Sequence, residues 1–215
     1  MKNGLTELVF ILDKSGSMGG LESDTIGGFN SMLKKQKEAD GECIITTVLF
    51  DNNYELLHDR INIQAVKEIT ENEYRIGGST ALLDAIGITI HKIENAQKQT
   101  DEDFRAQKIM FVIITDGYEN ASREYSSAKV KQLIERQKTE HNWEFIFLGA
   151  NIDAVETASH FGISADRAQN YHADSEGVKK NFTVLSEAVS SYRRNEMPED
   201  WNCEIERDFK GRSKK

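Results

Sequence analysis

The chain has 215 residues, enough for one domain with a sizeable core. Its 27 basic and 36 acidic residues leave a formal net charge of −9, which argues against nucleic acid as a partner, because phosphate-backbone binding needs a basic face. No run approaches the roughly 20 apolar residues of a membrane helix, and the N-terminal "MKNGLTELVFIL" has too short an apolar run for a signal peptide, so the sequence reads as cytoplasmic with no membrane partner.

The first predicted element is a strand, "LVFIL" at 8–12, which runs straight into Asp13, Lys14, Ser15, Gly16 and Ser17. Ile26, Phe29 and Leu33 then mark a helix, weakened by Gly27 and Gly28. "IITTVLF" at 44–50 is a second strand, with Cys43 read as a buried thiol at its start. "YELLH" at 54–58 lies two residues beyond Asp51, across "NN", which predicts a hairpin and an antiparallel strand.

"RIGGSTALLDA" supplies a glycine turn, Ser79 and Thr80, and then a helix face of Leu82, Leu83, Ile86, Ile90 and Ile93. Asp84, one turn into that helix, is assigned to its dipole. "IMFVIIT" at 109–115 is a strand that ends in Thr115, Asp116 and Gly117. Val130, Leu133, Ile134 and Gln137 give a short helix face, and "FIFLG" at 145–149 a further strand. After it, Asp153 is read as a helix cap, with a role beside the neighbouring loops as the alternative for Gly149, Asn151 and Asp153. "QNYHA" at 169–173 is a weaker strand. Val178, Phe182, Leu185, Val189 and Tyr192 step by 4, 3, 4 and 3 along the last strong helix. Residues 195–215 follow as a C-terminal tail, which is either partly ordered or pinned back by Trp201 and Phe209. Its terminal "KGRSKK" is read as a solvated charged end.

Strands alternating with helices predict an α/β domain over residues 1–194. It is a doubly wound, mostly parallel sheet between two helical layers with one antiparallel edge strand. Such folds bind ligands beyond the carboxyl ends of their strands. Three loops at that edge carry oxygen: Asp13, Ser15 and Ser17 on the first, Thr80 on the second, Asp116 on the third. Two carboxylates and three hydroxyls, without imidazole or thiolate, suit a hard divalent cation such as Mg²⁺. Two carboxylates about 5 Å apart repel by roughly 3 kcal/mol at an effective dielectric of ~20, and a cation between them removes that cost. Cys43 and Cys203 fit a reducing compartment and form no metal pattern. The five histidines show no metal-ligand spacing and are read as structural or exposed. Singly, each loop residue has an ordinary explanation: a turn, or for Thr80 a helix cap.

Together, "FILDKSGSM", "GGST" and "IITDGYEN" resemble the three parts of the metal-ion-dependent adhesion site of von Willebrand factor A domains, over roughly residues 5–194. The resemblance implies that fold, and that Asp13, Ser15, Ser17, Thr80 and Asp116 hold Mg²⁺, in some members Mn²⁺. It also implies that an acidic side chain of a partner protein completes the coordination. The context is closer to compact intracellular proteins of bacteria and phages than to adhesion receptors. A metal-dependent protein-binding module without enzymatic activity is the expected function. The alternative is a Mg²⁺-dependent phosphohydrolase with Asp13 as nucleophile, although the position two residues on, where a second acid belongs, is Ser15. The identity of the partner and the oligomeric state are not legible.

Overall fold

The computed structural model describes residues 4–212. The first three residues of the N-terminal stretch and the last three of "KGRSKK" lie outside the described residues. Six strands form one sheet: β1 (Thr6–Asp13), β2 (Cys43–Phe50), β3 (Tyr54–Asn62), β4 (Lys108–Thr115), β5 (Glu144–Gly149) and β6 (Ala168–Asn170). Their order across the sheet is β3-β2-β1-β4-β5-β6. All neighbours are parallel except β2 and β3, which form the expected hairpin around Asp51–Asn53 and leave β3 as an antiparallel edge. The expected fold class is the observed one.

The apolar runs become strands because both their faces are covered. Leu8, Phe10 and Leu12 of β1 enter one core with Phe29, Met32 and Leu33 of α1 (Glu22–Glu38) and Val178, Phe182, Leu185 and Val189 of α5 (Ser175–Arg193). The alternate residues Val9 and Ile11 enter the other, with Leu82, Ile86, Ile90 and Ile93 of α2 (Leu82–Gln99), Val130, Leu133 and Ile134 of α3 (Ser127–His141), and Ala154 and Ala158 of α4 (Ala154–His160). A strand with two apolar faces cannot show the alternation of a half-solvated one.

Several boundaries differ from expectation. β3 extends to Asn62, past a ladder irregularity at Ile45–Val48. β6 covers only 168–170; the Tyr171 N–H still reaches the Gly149 carbonyl at 3.0 Å, but the ladder ends there. Residues 203–212 form a further helix, α6, with Ile205 and the preceding Trp201 buried against the core of the α1 side. The indole N–H of Trp201 donates to the Asp166 carbonyl at 2.8 Å, and Phe209 stacks on His172 at 4.7 Å. Arg212, within "KGRSKK", is ion-paired with Asp208 and Asp174 rather than merely solvated.

Gly27 and Gly28 persist in α1 for different reasons. A Cβ on Gly28 would stand 2.3 Å from the Phe182 ring, so this glycine lets α1 and α5 meet, whereas a Cβ on Gly27 meets nothing within 4 Å. Gly28→Ala should therefore destabilise the fold by about 1–3 kcal/mol through overpacking. Gly27→Ala should stabilise it by up to about 1 kcal/mol through helix propensity. Urea unfolding of the two variants checks the pair, and equal effects would refute this account of the helix contact.

Candidate metal centre

In this sheet the chain order reverses between β1 and β4, so their outgoing connections diverge and leave a crevice at the carboxyl edge. Leu12 and Ile114 form the last parallel rung there. Asp13 ends β1, and Asp116 follows Thr115 at the end of β4. A single 3₁₀ turn, Gly16–Met18, folds the first loop back, and Met18 is buried beneath it. The third part comes from the turn before α2.

All five predicted residues gather here. Asp13, Ser15, Thr80 and Asp116 are buried, while Ser17 is exposed at the mouth. Thr80 Oγ1 donates to Ser15 Oγ at 3.1 Å, Ser15 Oγ lies 3.0 Å from Ser17 Oγ, and Ser17 Oγ donates to Asp116 Oδ1 at 2.5 Å. Four residues thus present a connected arc of oxygens. Asp13 stands behind the arc: its Oδ1 accepts from the Ser15 N–H at 2.7 Å, and its Oδ2 from the Thr115 hydroxyl at 2.6 Å. Thr80 does not cap α2, whose N-cap is Ala81; its hydroxyl is turned into the site.

Two observations fit this donor set to a hard cation. Adjacent oxygens of an octahedral shell with bonds of about 2.1 Å stand about 3.0 Å apart, and the hydrogen bonds of the arc already bring its oxygens to 2.5–3.1 Å. Asp116 Oδ2 is buried with no hydrogen-bond partner, a costly state for a carboxylate oxygen unless something cationic approaches it. Gly117 keeps that space open: a Cβ there would stand 3.2 Å from Ser17 Oγ and 3.5 Å from Thr80 Oγ1.

Burial pushes the Asp116 carboxyl up to about 6; the Ser17 hydrogen bond opposes this and the Asp13 charge adds to it. Burial also raises Asp13, against hydrogen bonds from Thr115, Ser15 and the Asp116 N–H.

The surrounding loops are held by Asp84, whose loop partners sequence reasoning did not find, and by Glu119 and Asn120, which it did not place. The Asp84 carboxylate, in the first turn of α2 as expected, accepts the backbone N–H groups of Arg123, Glu124 and Tyr125 at 2.8–2.9 Å. Glu119 takes the N–H groups of Leu83, Ala121 and Ser122 at 2.7–2.9 Å, and Asn120 Oδ1 takes that of Thr80 at 2.9 Å. A cluster of polar residues just after a strand was the available signal, but not their partners. Asp153 caps α4 through the Glu156 N–H at 2.9 Å, the plain role expected of it.

No protein-family model matches the chain, and no curated protein matches it in sequence. Solved structures do match in fold. Proximal thread matrix protein 1 of the mussel byssus, in a structure with a zinc-occupied adhesion-site motif, superposes with a TM-score of 0.58 at 14% identity over 87% of this chain and 46% of its own. A manganese-loaded Plasmodium vivax TRAP protein gives 0.57 at 18% identity over 84% and 72%. A von Willebrand factor type A protein from Catenulispora acidiphila gives 0.57 at 14% over 87% and 43%. The chain thus spans less than half of the mussel and Catenulispora proteins. At these identities the likeness is one of fold: this chain has the von Willebrand factor A fold.

The raised carboxyl of Asp116 sets a pH dependence. Its folded value lies above the ordinary 3.8, so the stability it contributes is full below that value and is lost as pH rises through about 6. Metal-free chain should therefore melt lower at pH 7 than at pH 5 on account of this group, and Mg²⁺ or Mn²⁺, which needs the carboxylate, should raise the melting temperature more at pH 7. Thermal melts at both pH values, with EDTA or with metal, test this; a metal-induced shift of equal size at both would refute it.

Proposed function

We propose that the chain is a divalent-metal-dependent protein-binding module, with Asp13, Ser15, Ser17, Thr80 and Asp116 holding Mg²⁺, or Mn²⁺ in its place, and a partner's Asp or Glu side chain completing the coordination. The observation that carries this reading is the unpartnered, buried Asp116 Oδ2 at the end of an arc of hydroxyl oxygens. The bound metal would supply a positive centre. The chain's own groups would set its charge and leave its outward side free. With both aspartates ionised, a dication is locally neutralised, and a partner carboxylate meets no net repulsion. The overall −9 is screened beyond about 8 Å at physiological salt. Tyr118, 63% exposed and two residues past Asp116, is the large apolar group best placed to meet the partner beside the metal.

The phosphohydrolase reading fits less well. Both oxygens of Asp13 are engaged and the residue is 1% exposed, so it is poorly available as a nucleophile. Lys14, the nearest lysine in sequence, is paired with Glu55 at 2.5 Å. Among the described residues no helix is long and apolar enough to cross a membrane. The free thiols of Cys43 and Cys203 support a reducing, cytoplasmic setting.

Ser15→Ala and Asp116→Ala should each weaken Mg²⁺ or Mn²⁺ binding by tenfold or more in calorimetric titration while the far-ultraviolet circular dichroism stays unchanged. A partner retained on immobilised chain in Mg²⁺ should be released by EDTA and lost when one of its acidic residues is neutralised. Wild-type chain that binds neither cation would end this reading, and partner binding that persists in EDTA would move the interface to another surface.

A further inference from the structure

Tyr74 belongs to the long connection between β3 and α2 and is 2% exposed. Its hydroxyl donates to the main-chain carbonyl of Asp13, the last residue of β1. That bond opens a short seam between the first and second metal loops. The Gly77 N–H donates to the Lys14 carbonyl at 3.0 Å, the Gly16 N–H to the Gly78 carbonyl at 3.1 Å, and Thr80 Oγ1 to Ser15 Oγ at 3.1 Å. Residues 74–80 thus run beside residues 13–16, joined at four points, and the last point lies within the oxygen arc. Gly78 adopts φ +72°, a left-handed turn that glycine accepts readily. A Cβ there would also collide with the Asn52 side chain at 2.1 Å.

Without this seam, the first loop keeps its ties to the far side, the Lys14 N–H to the Phe50 carbonyl at 2.8 Å and Ser17 Oγ to Asp116, and its own Ser15 N–H to Asp13 bond and 3₁₀ turn, but nothing joins it to the loop that carries Thr80. Two serines on a glycine-containing loop would sample many orientations, and collecting them around a cation would cost conformational entropy at the moment of binding. We infer that Tyr74 is a positioning residue for the metal centre: through the Asp13 carbonyl it fixes where the chain turns out of β1, and so holds Ser15 and Ser17 ready against Thr80 and Asp116. The bond is to the main chain of Asp13 and not to its carboxylate. Its hydroxyl lies on the inner, buried side of the loop. Tyr171 makes a weaker counterpart on β4, reaching the Thr115 carbonyl at 3.5 Å, where the Ala150 N–H already donates at 3.0 Å.

This inference rests on the metal-binding reading, and the test separates the two. Tyr74→Phe removes one hydroxyl and keeps the ring in the core. The control is Tyr192→Phe, which also removes a hydroxyl bonded to a strand carbonyl, that of Ile109 at 3.0 Å, but at the opposite edge of the sheet. Mn²⁺ and Mg²⁺ are titrated calorimetrically into wild type and both variants, and metal-free melts are recorded alongside. A purely structural tyrosine would lower only the melting temperature, as Tyr192→Phe is expected to do.

Tyr74→Phe is expected to weaken both metals roughly tenfold, the scale of one well-placed hydrogen bond. A loss no larger than that of Tyr192→Phe overturns the assignment. Wild type that binds no metal removes the metal reading and this inference together. Should Tyr74→Phe not fold, amide exchange of the wild-type chain decides. Coupling is reciprocal, so metal should slow exchange at Gly16 and Gly77, the two N–H donors of the seam. Unchanged rates there would overturn the proposal.

Discussion

Two carboxylates buried at the ends of adjacent parallel strands set the terms for everything around them. Asp13 and Asp116 terminate β1 and β4 where the sheet's winding reverses, so each meets solvent only through the crevice between diverging loops. Desolvation raises both toward neutrality. The fold answers this differently at the two sites. Asp13 receives the Ser15 N–H and the Thr115 hydroxyl, one donor on each oxygen. Asp116 receives Ser17 on Oδ1, and among the described residues nothing reaches its Oδ2. Asp13 is consequently the better satisfied of the two and also orients the loop, and Asp116 carries the larger unspent capacity.

The amino edge of the sheet holds a buried acid with more partners, although burial still raises its carboxyl against them. Glu7, with no exposed surface, accepts from Arg60, Gln97 and Thr46, all at 3.2–3.3 Å. Arg60 reaches it from a left-handed backbone position, φ 51°, in the irregular part of β3. Nearby, the buried guanidinium of Arg193 donates to the carbonyls of Gln36, Ala39, Asp40 and Gly41 around the end of α1. Lys108 caps the end of α5 in the same manner, through the carbonyls of Tyr192 and Arg193. Cations at helix C-termini are favourable placements. The amino edge therefore gives its acid a guanidinium and its cations helix-end carbonyls, whereas the carboxyl edge ends in an acid oxygen without a partner among the described residues.

What was legible in the sequence follows from the range of the interactions concerned. Strands covered on both faces are local apolar runs, so "LVFIL", "IITTVLF", "IMFVIIT" and "FIFLG" could be read directly, and the five oxygen-bearing residues stood out because they interrupt such runs. α6 was not legible as a helix, because its sequence is mostly charged and its anchors, Trp201 and Ile205, depend on a groove built by distant segments. The span of β6 differs by a few residues: the pattern "QNYHA" runs past the end of β5, whose last residue, Gly149, takes the Tyr171 N–H as its final bond. Tyr74 gave no sign at all. Its partner is a main-chain carbonyl 61 residues away, and a carbonyl belongs to every residue type, so no side-chain pattern points to it.

The division between the two edges also explains why one sheet can hold a poorly satisfied acid without losing its fold. The core on each face is continuous from strand to strand, and its residues are almost entirely withdrawn from water. Against that mass of apolar burial, one unmatched carboxylate oxygen is a local cost of a few kcal/mol at most. Its effect is local too, because the loops around it are tied by Asp84, Glu119 and Tyr74 to α2 and β1 rather than to each other alone. A rigid frame of this kind cannot relieve Asp116 by moving the loop to water. The remaining ways to satisfy the oxygen are a proton, which the value near 6 makes available under mildly acidic conditions, or a cation. Near neutral pH the proton is mostly lost, and the same rigidity that denies the carboxylate solvent favours the cation in its place.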